Sequence, residues 1–177
     1  KQSALAFSCP QNGLRVEDML KIYLGEGLQT PDVHERDLAF KKKFLDSIVP
    51  VLYHLGKAAR FLHKRNLCHY QMTLGNTSMV FFLNQTKPVI CLYDWETLTS
   101  MDKTNPLLAK AYDMSVALAS TISVLQNLRI YLAFSTETLV MLGYNSLLYY
   151  LQGLTDVDIS TLHEKLRLNS QEFADLV

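Results

Sequence analysis

His69, Gln71, Asn76 and Asp94 are the residues whose types and spacing could do chemistry together. The first three lie in "NLCHYQMTLGNTSMVFFL", residues 66–83, and Asp94 lies in "LYDWETL", residues 92–98. A histidine, a polar residue two positions on, an Asn five further, and an Asp beyond a strand-like run form the skeleton of a phosphate-transfer site. Such transfer asks a protein for little covalent work. It needs positioned metal ions, a group that orients or deprotonates the nucleophile, and a cradle for the phosphates. At the position where an acid is wanted, this chain has Gln71.

The elements around these residues are legible from periodicity. "SALAFSCP" (3–10) is a short apolar run that reads as a strand ended by Pro10. "LRVEDMLKIYL" (14–24) has near-helical spacing, closed by Gly25 and Gly27, and "GEGLQTPDVHERD" (25–37) reads as loop. Phe44, Ile48, Val51, Leu52, Leu55, Ala59 and Leu62 recur as one face of a long helix, with Lys57, Arg60 and Lys64 opposite. Pro50 inside it predicts a kink, or the first turn of a new helix capped by Asp46 or Ser47. "TSMVFFL" (77–83) and "VICLYDW" (89–95) flank the turn-rich "NQTKP" (84–88), which predicts a β-hairpin. Residues 106–134 are apolar nearly all round, which predicts a buried central helix beginning at Pro106. Residues 136–154 predict a further helix with an interruption near Gly143, and Thr161–Glu164 reads as the capping box of a last one. The fold class is mainly α with a small β-hairpin, in a single domain over 1–177.

The bulk numbers agree with one globular domain. The chain has 177 residues, 49% apolar and 19% charged, enough for a real core. Seventeen basic and seventeen acidic residues cancel, so no strong field points to nucleic acid or an anionic membrane. Cys9, Cys68 and Cys91 have no metal spacing and make no even disulfide set, which favours a reducing compartment. The chain starts at Lys1, which reads as a processed form or a fragment. The best membrane candidate, residues 114–128, has fifteen residues between Asp113 and Arg129, short of the ~20 that a bilayer needs, so no span is expected.

The pattern His69-x-Gln71-x4-Asn76, hairpin, Asp94-Trp95-Glu96 resembles the catalytic and metal-binding loops of the protein-kinase-like superfamily, read there as H-x-D-x4-N and D-F-G or D-[FLW]-[EG]. "AYDMSVALASTI" (111–122) is similar to that family's central helix, whose early Asp, here Asp113, ties down the catalytic loop. Residues 4–20 look like the hinge and the helix after it, and 38–65 like the helix feeding the catalytic loop. The resemblance covers about residues 4–130 and implies a protein-kinase-like C-lobe, with a catalytic-loop-like segment at 66–76, a hairpin at 77–95 and a central helix at 106–134. It implies that Asn76 and Asp94 hold Mg2+ and ATP phosphates through hard oxygen donors, and that His69 has a structural, loop-orienting role. Gln71 replaces the family's catalytic Asp; it orients by hydrogen bonds but does not take a proton as a carboxylate does. The glycine-rich loop and paired Lys and Glu that clamp ATP would lie outside this chain. Nineteen residues from Asp94 to Asp113 resemble the short activation segment of aminoglycoside-phosphotransferase-like and bacterial effector kinases. "LRVEDML" is also similar to the opening helix of the kinase non-catalytic C-lobe domain.

Each residue also has an ordinary reading. Asn76 after Gly75 suits a turn, Asp94 at a strand end suits a cap, and His69 suits a packed loop. His54 and His163 have no partner spacing and read as structural, Lys41–Lys43 as a solvated face, and Tyr149–Tyr150 as core. An unrelated helical domain with chance polar matches is the plainest alternative. What favours the kinase reading is the joint order of the features. The expected function is then a pseudokinase module for protein binding or regulation, with no independent enzyme activity. The alternative is a Mg-ATP-dependent phosphotransferase or nucleotidyltransferase whose N-lobe lies outside this chain. The expected setting is cytoplasmic, in the cell of origin or in a host that receives an effector.

Overall fold

The structure is a computed structural model that describes residues 14–16, 18, 33–80, 89–101, 105–132 and 135–166. Strand β1 is Leu14–Arg15, helix α1 Val33–His63, β2 Leu67–Cys68, β3 Thr77–Val80 and β4 Val89–Leu92. A one-turn 3-10 helix, Trp95–Thr97, leads to β5, Thr99–Ser100. Helices α2 (Pro106–Leu132), α3 (Thr136–Thr155) and α4 (Ile159–Lys165) follow. The protein is mainly helical with small antiparallel sheets, as the periodicity predicts.

The apolar stripe of α1 explains the core. Ile48, Val51, Leu52, Leu55 and Ala59 are fully buried, and they meet Leu142, Tyr150 and Leu151 of α3 and Ala117 of α2. Each large side chain buried there contributes roughly 1.5–3 kcal/mol. Helices α1 and α3 share the most extensive contact among the described elements. Two glycines let their backbones touch. A Cβ on Gly56 would stand 2.1 Å from the Tyr150 carbonyl oxygen, and one on Gly153 would stand 2.0 Å from the Tyr53 carbonyl oxygen.

The hairpin is present between β3 and β4, with Thr77 opposite Leu92 and Val80 opposite Val89. Its turn, like the hinge-like start at 3–10, lies outside the described residues. Strand β1 adds to the other edge of β3, Leu14 opposite Met79. Leu14 and Arg15 are therefore sheet and not the first turn of a helix; pairing with β3 overrides their local spacing. Strands β2 and β5 form a second two-stranded ladder, Leu67 opposite Ser100.

Other boundaries differ from the sequence pattern for physical reasons. Helix α1 begins at Val33, so 33–37 are helical and not loop. Pro50 lies inside α1 and starts no new helix. It is exposed, so water can serve the backbone carbonyl that its missing N–H leaves without a partner. Helix α4 starts before Thr161, because the Asp158 side chain caps it by accepting from the Thr161 N–H. Helix α2 is not buried all round: Leu107, Leu108, Tyr112 and Ile122 are exposed.

Helix α3 runs unbroken through Gly143, whose missing Cβ would meet nothing within 4 Å. Gly143→Ala is therefore expected to stabilise the protein by about 0.5–1 kcal/mol through helix propensity and a less flexible unfolded chain. A rise in the thermal midpoint checks it; a fall would mean that the site is not open.

Residues 106–127 of α2 are long and apolar enough by composition to cross a membrane. This is longer than the fifteen residues weighed above, because Asp113 does not end the stretch. Asp113 and Ala117 of this stretch are fully buried, while most of its apolar window is exposed or half-buried, so length and composition alone make it a candidate.

Candidate functional site

The segment between β2 and β3 is fastened to α2 by a buried carboxylate. Asp113 is fully buried. Its Oδ1 accepts the Tyr70 N–H at 2.6 Å, and its Oδ2 accepts the His69 N–H at 3.2 Å. The His63 ring, at the end of α1, completes the group with Nε2 3.0 Å from Oδ2. Burial raises the Asp113 pKa; the bonds from His63, Tyr70 and His69 outweigh it and hold the carboxyl below its ordinary value. One carboxylate thus ties the last turn of α1 and the start of the loop to the central helix.

Tyr70 is the strained residue of this loop, with φ of 63°. For a bulky side chain the left-handed region costs roughly 1–2 kcal/mol, and the short bond from its N–H to Asp113 helps to hold it there. A second anchor follows, the Leu74 N–H donating to Ser120 Oγ of α2 at 3.1 Å. Met72 and Leu74 are fully buried pegs, and Gln71 just before them is exposed.

Asn76 precedes β3 and Asp94 follows β4, at the same end of the paired strands. The Tyr93 N–H donates to the Asn76 carbonyl at 2.8 Å, so Asp94 stands one residue past the paired position. Asp94 has φ 59° and ψ 45°, a left-handed conformation that Asp tolerates. Asn76 Nδ2 donates to the Gln71 carbonyl at 3.1 Å and lies 3.5 Å from Gln71 Oε1. Its Oδ1 is then the atom left to face a cation. Gln71, Asn76 and Asp94 are exposed or half-buried, open to a ligand, whereas His69 and Asp113 are sealed in. The side-chain oxygens of Asn76 and Asp94 suit a hard cation such as Mg2+.

His69 links the two loops. Its Nδ1 accepts the Gln71 N–H at 3.3 Å, which assigns the proton to Nε2. Its carbonyl accepts the Thr97 hydroxyl at 2.6 Å, and its ring meets Trp95 edge-on at 5.3 Å. Desolvation lowers the His69 pKa, opposed by the Tyr93 backbone and by the charges of Asp113 and Asp94. The depressed pKa gives a sign. Stability is complete above the unfolded value near 6.5 and falls as pH drops from there towards the folded value. Urea unfolding between pH 7.5 and 5.5 is expected to lose up to about 1.4 kcal/mol per pH unit from this group. A His69→Gln variant should show a flatter profile; an equal slope in both would contradict the assignment.

His63, Cys68 and Asp113 also bring a nitrogen, a sulfur and an oxygen within 4.8 Å of one another. A metal there would need the Cys68 thiolate. Burial, together with the charge and hydrogen bonding of Asp113, pushes the thiol pKa up to about 12. The cluster fits better as a knot of donors around one carboxylate.

Spacing singles out His69, Gln71, Asn76 and Asp94 and the resemblance adds Asp113; the structure joins His69, Gln71 and Asn76 in the loop that Asp113 anchors, with Asp94 one residue past the Tyr93–Asn76 pairing. It does not single out His63, Thr97 or Ser120. For His63 a signal exists, a histidine in register with the buried Ala59 and Leu62. His54 is exposed beside Tyr53, and His163 Nδ1 lies 2.8 Å from the Tyr144 hydroxyl, so both sit away from the loop. Tyr150 is core, and Lys42 is solvated as expected.

Fold and site define a mainly helical domain that presents a carboxylate-anchored polar loop beside a small antiparallel sheet. Comparisons with family profiles, curated proteins and solved structures return no match.

Proposed function

We propose that the chain is a pseudokinase-type module, a protein-kinase-like C-lobe that binds a protein partner and does not itself transfer phosphate. The observation that carries this reading is Gln71. It stands exposed on the anchored loop, five residues before Asn76, with a carboxamide where a proton acceptor would be needed. What supports the kinase-like part is the Asp113 carboxylate receiving the backbone of His69 and Tyr70, the role that the resemblance assigns to it.

The test is transfer of label from γ-labelled ATP in Mg2+ to a generic acceptor protein or to the chain itself. The expected counts equal those of an Asp94→Asn variant, which keeps a residue tolerant of the left-handed conformation. Counts well above that variant's would overturn the reading.

A second reading rests on the pairing of Asn76 with Tyr93, which sets Asp94 beside it. In it the protein is a Mg-ATP-dependent phospho- or nucleotidyltransferase completed by a further lobe. It expects MgATP at a hundred times its Kd to stabilise the protein by ~2.7 kcal/mol by mass action. A thermal midpoint that millimolar MgATP leaves unmoved would count against it.

A further inference from the structure

The C-terminal end of α1 and the turn after it carry a basic groove that the loop chemistry does not use. Lys57, Arg60, Lys64 and Arg65 line it around Phe61, and its volume is ≈ 240 Å³. Two of the four cations are held over rings. The Arg65 guanidinium carbon lies 3.5 Å from the Phe61 ring centre, and the Lys57 ammonium 5.4 Å from that of Tyr53. Arg65 also donates to the Phe61 carbonyl at 3.0 Å. A cation fixed in this way loses less freedom when it meets a ligand.

One internal anion already samples the groove. Asp156 follows the last turn of α3 and accepts from Arg60 at 2.9 Å. That bond and the charge of Arg60, with smaller help from Lys57 and Lys64, hold its carboxyl below the ordinary value. The field of the groove therefore favours an anion at this place. Among the described residues four cations face one carboxylate here, in a chain whose seventeen basic and seventeen acidic residues cancel.

We propose that this groove binds a phosphate dianion, carried either by a phosphorylated side chain or by a small phosphorylated metabolite. Its size suits one compact group and not an extended polyanion, since residues 57–63 span only about 9 Å of helix and Lys64 and Arg65 lie in the turn after it. Arg60 offers the fork that grips two phosphate oxygens, and Lys57 and Lys64 add point charges. Asp156 acts as the resident competitor for Arg60.

The experiment is an amide-shift titration of the full chain with inorganic phosphate, with a phosphoserine peptide, and with the same peptide carrying Glu in place of phosphoserine. Saturable shifts at 57–65 are expected with both phosphate probes and much weaker ones with the Glu peptide. Tighter binding of the peptide assigns the site to phosphorylated side chains, and equal binding assigns it to free phosphate compounds. Lys57→Ala with Lys64→Ala should weaken binding roughly tenfold. Asp156→Asn should tighten it several-fold, because Asn suits the left-handed backbone there and removes the competing charge. Shifts that do not saturate, or an Asp156→Asn variant that binds no tighter, would overturn the proposal. Neither outcome bears on whether Gln71 leaves the loop without a base, so the two claims fail separately.

Discussion

Asp113→Ala is expected to cost at least about 3 kcal/mol, a large share of the stability of an ordinary domain. The carboxylate takes bonds from His63, the His69 N–H and the Tyr70 N–H. Removing it leaves three donors, all on one buried spot, without an acceptor. Each buried unpaired donor costs ~1–3 kcal/mol, so even the low end reaches that sum. Asp113→Asn keeps one acceptor oxygen and should cost less, which separates lost hydrogen bonding from lost shape. Urea unfolding gives the size of the effect. Amide exchange gives its place: in Asp113→Asn the His69 and Tyr70 amides should exchange faster, while the α1 amides around Leu52 and Leu55 keep their relative protection. A loss below ~1 kcal/mol for Asp113→Ala would mean that the carboxylate does not hold the loop.

Gly153→Ala is the second large effect, and its sign is the informative part. Helix propensity alone favours Ala over Gly by about 1 kcal/mol. The added Cβ, however, would stand 2.0 Å from the Tyr53 carbonyl oxygen and 3.0 Å from the Lys57 nitrogen, both backbone atoms of α1. Backbone cannot rotate out of the way, so the helices must part. The cost is that of overpacking, ~3 kcal/mol at the upper end of its usual range. Gly56→Ala should behave alike, since its Cβ would meet the Tyr150 carbonyl oxygen at 2.1 Å. The two changes act on one contact, so the double variant should lose less than the sum. A Gly153→Ala protein as stable as Gly143→Ala would show that α1 and α3 do not approach this closely.

These two sites also mark what a sequence shows and what it hides. The stripe from Ile48 to Leu62 announces α1, because a helix that buries one face must repeat every three or four residues. The short run of β-branched and aromatic residues after Asn76 announces β3, because such side chains fit a pleated surface. Asp113 was legible as a loop anchor only through the spacing of the residues around it and their resemblance to a known arrangement. Gly153 was not legible at all: nothing local separates a glycine at a helix crossing from Gly143, which faces open space. The same holds for Leu14 and Arg15, which two long-range pairings with β3 make a strand. Thr161–Glu164 had the right residues for a capping box, and Asp158 took the role because it stood at the true helix start. His63 escaped notice because its partner is fifty residues away in the chain. Long-range contact, not local preference, decided all of these but the Asp158 cap, which is a contact three residues apart.

The site divides along the same line. The side chains that the proposed reading gives to a ligand, Asn76 and Asp94, were readable from type and spacing. The groups that hold them, the His69 carbonyl on Thr97 and the Leu74 amide on Ser120, were not. They are ordinary residues whose value comes from where the fold puts them. Gln71 belongs to the first kind. Its carboxamide meets Asn76, and a loop fastened at Asp113, at Ser120 and at Tyr93 has little freedom to bring another group to its place.

The most direct test of that central claim is one side-by-side incubation of the protein and its Asp94→Asn variant with MgATP labelled at the α- or the γ-phosphate, with acceptor protein present. The account predicts label on acceptor and chain no higher for the native protein than for the variant, with either label. Label from either position that appears with the native protein and vanishes with Asp94→Asn would contradict it.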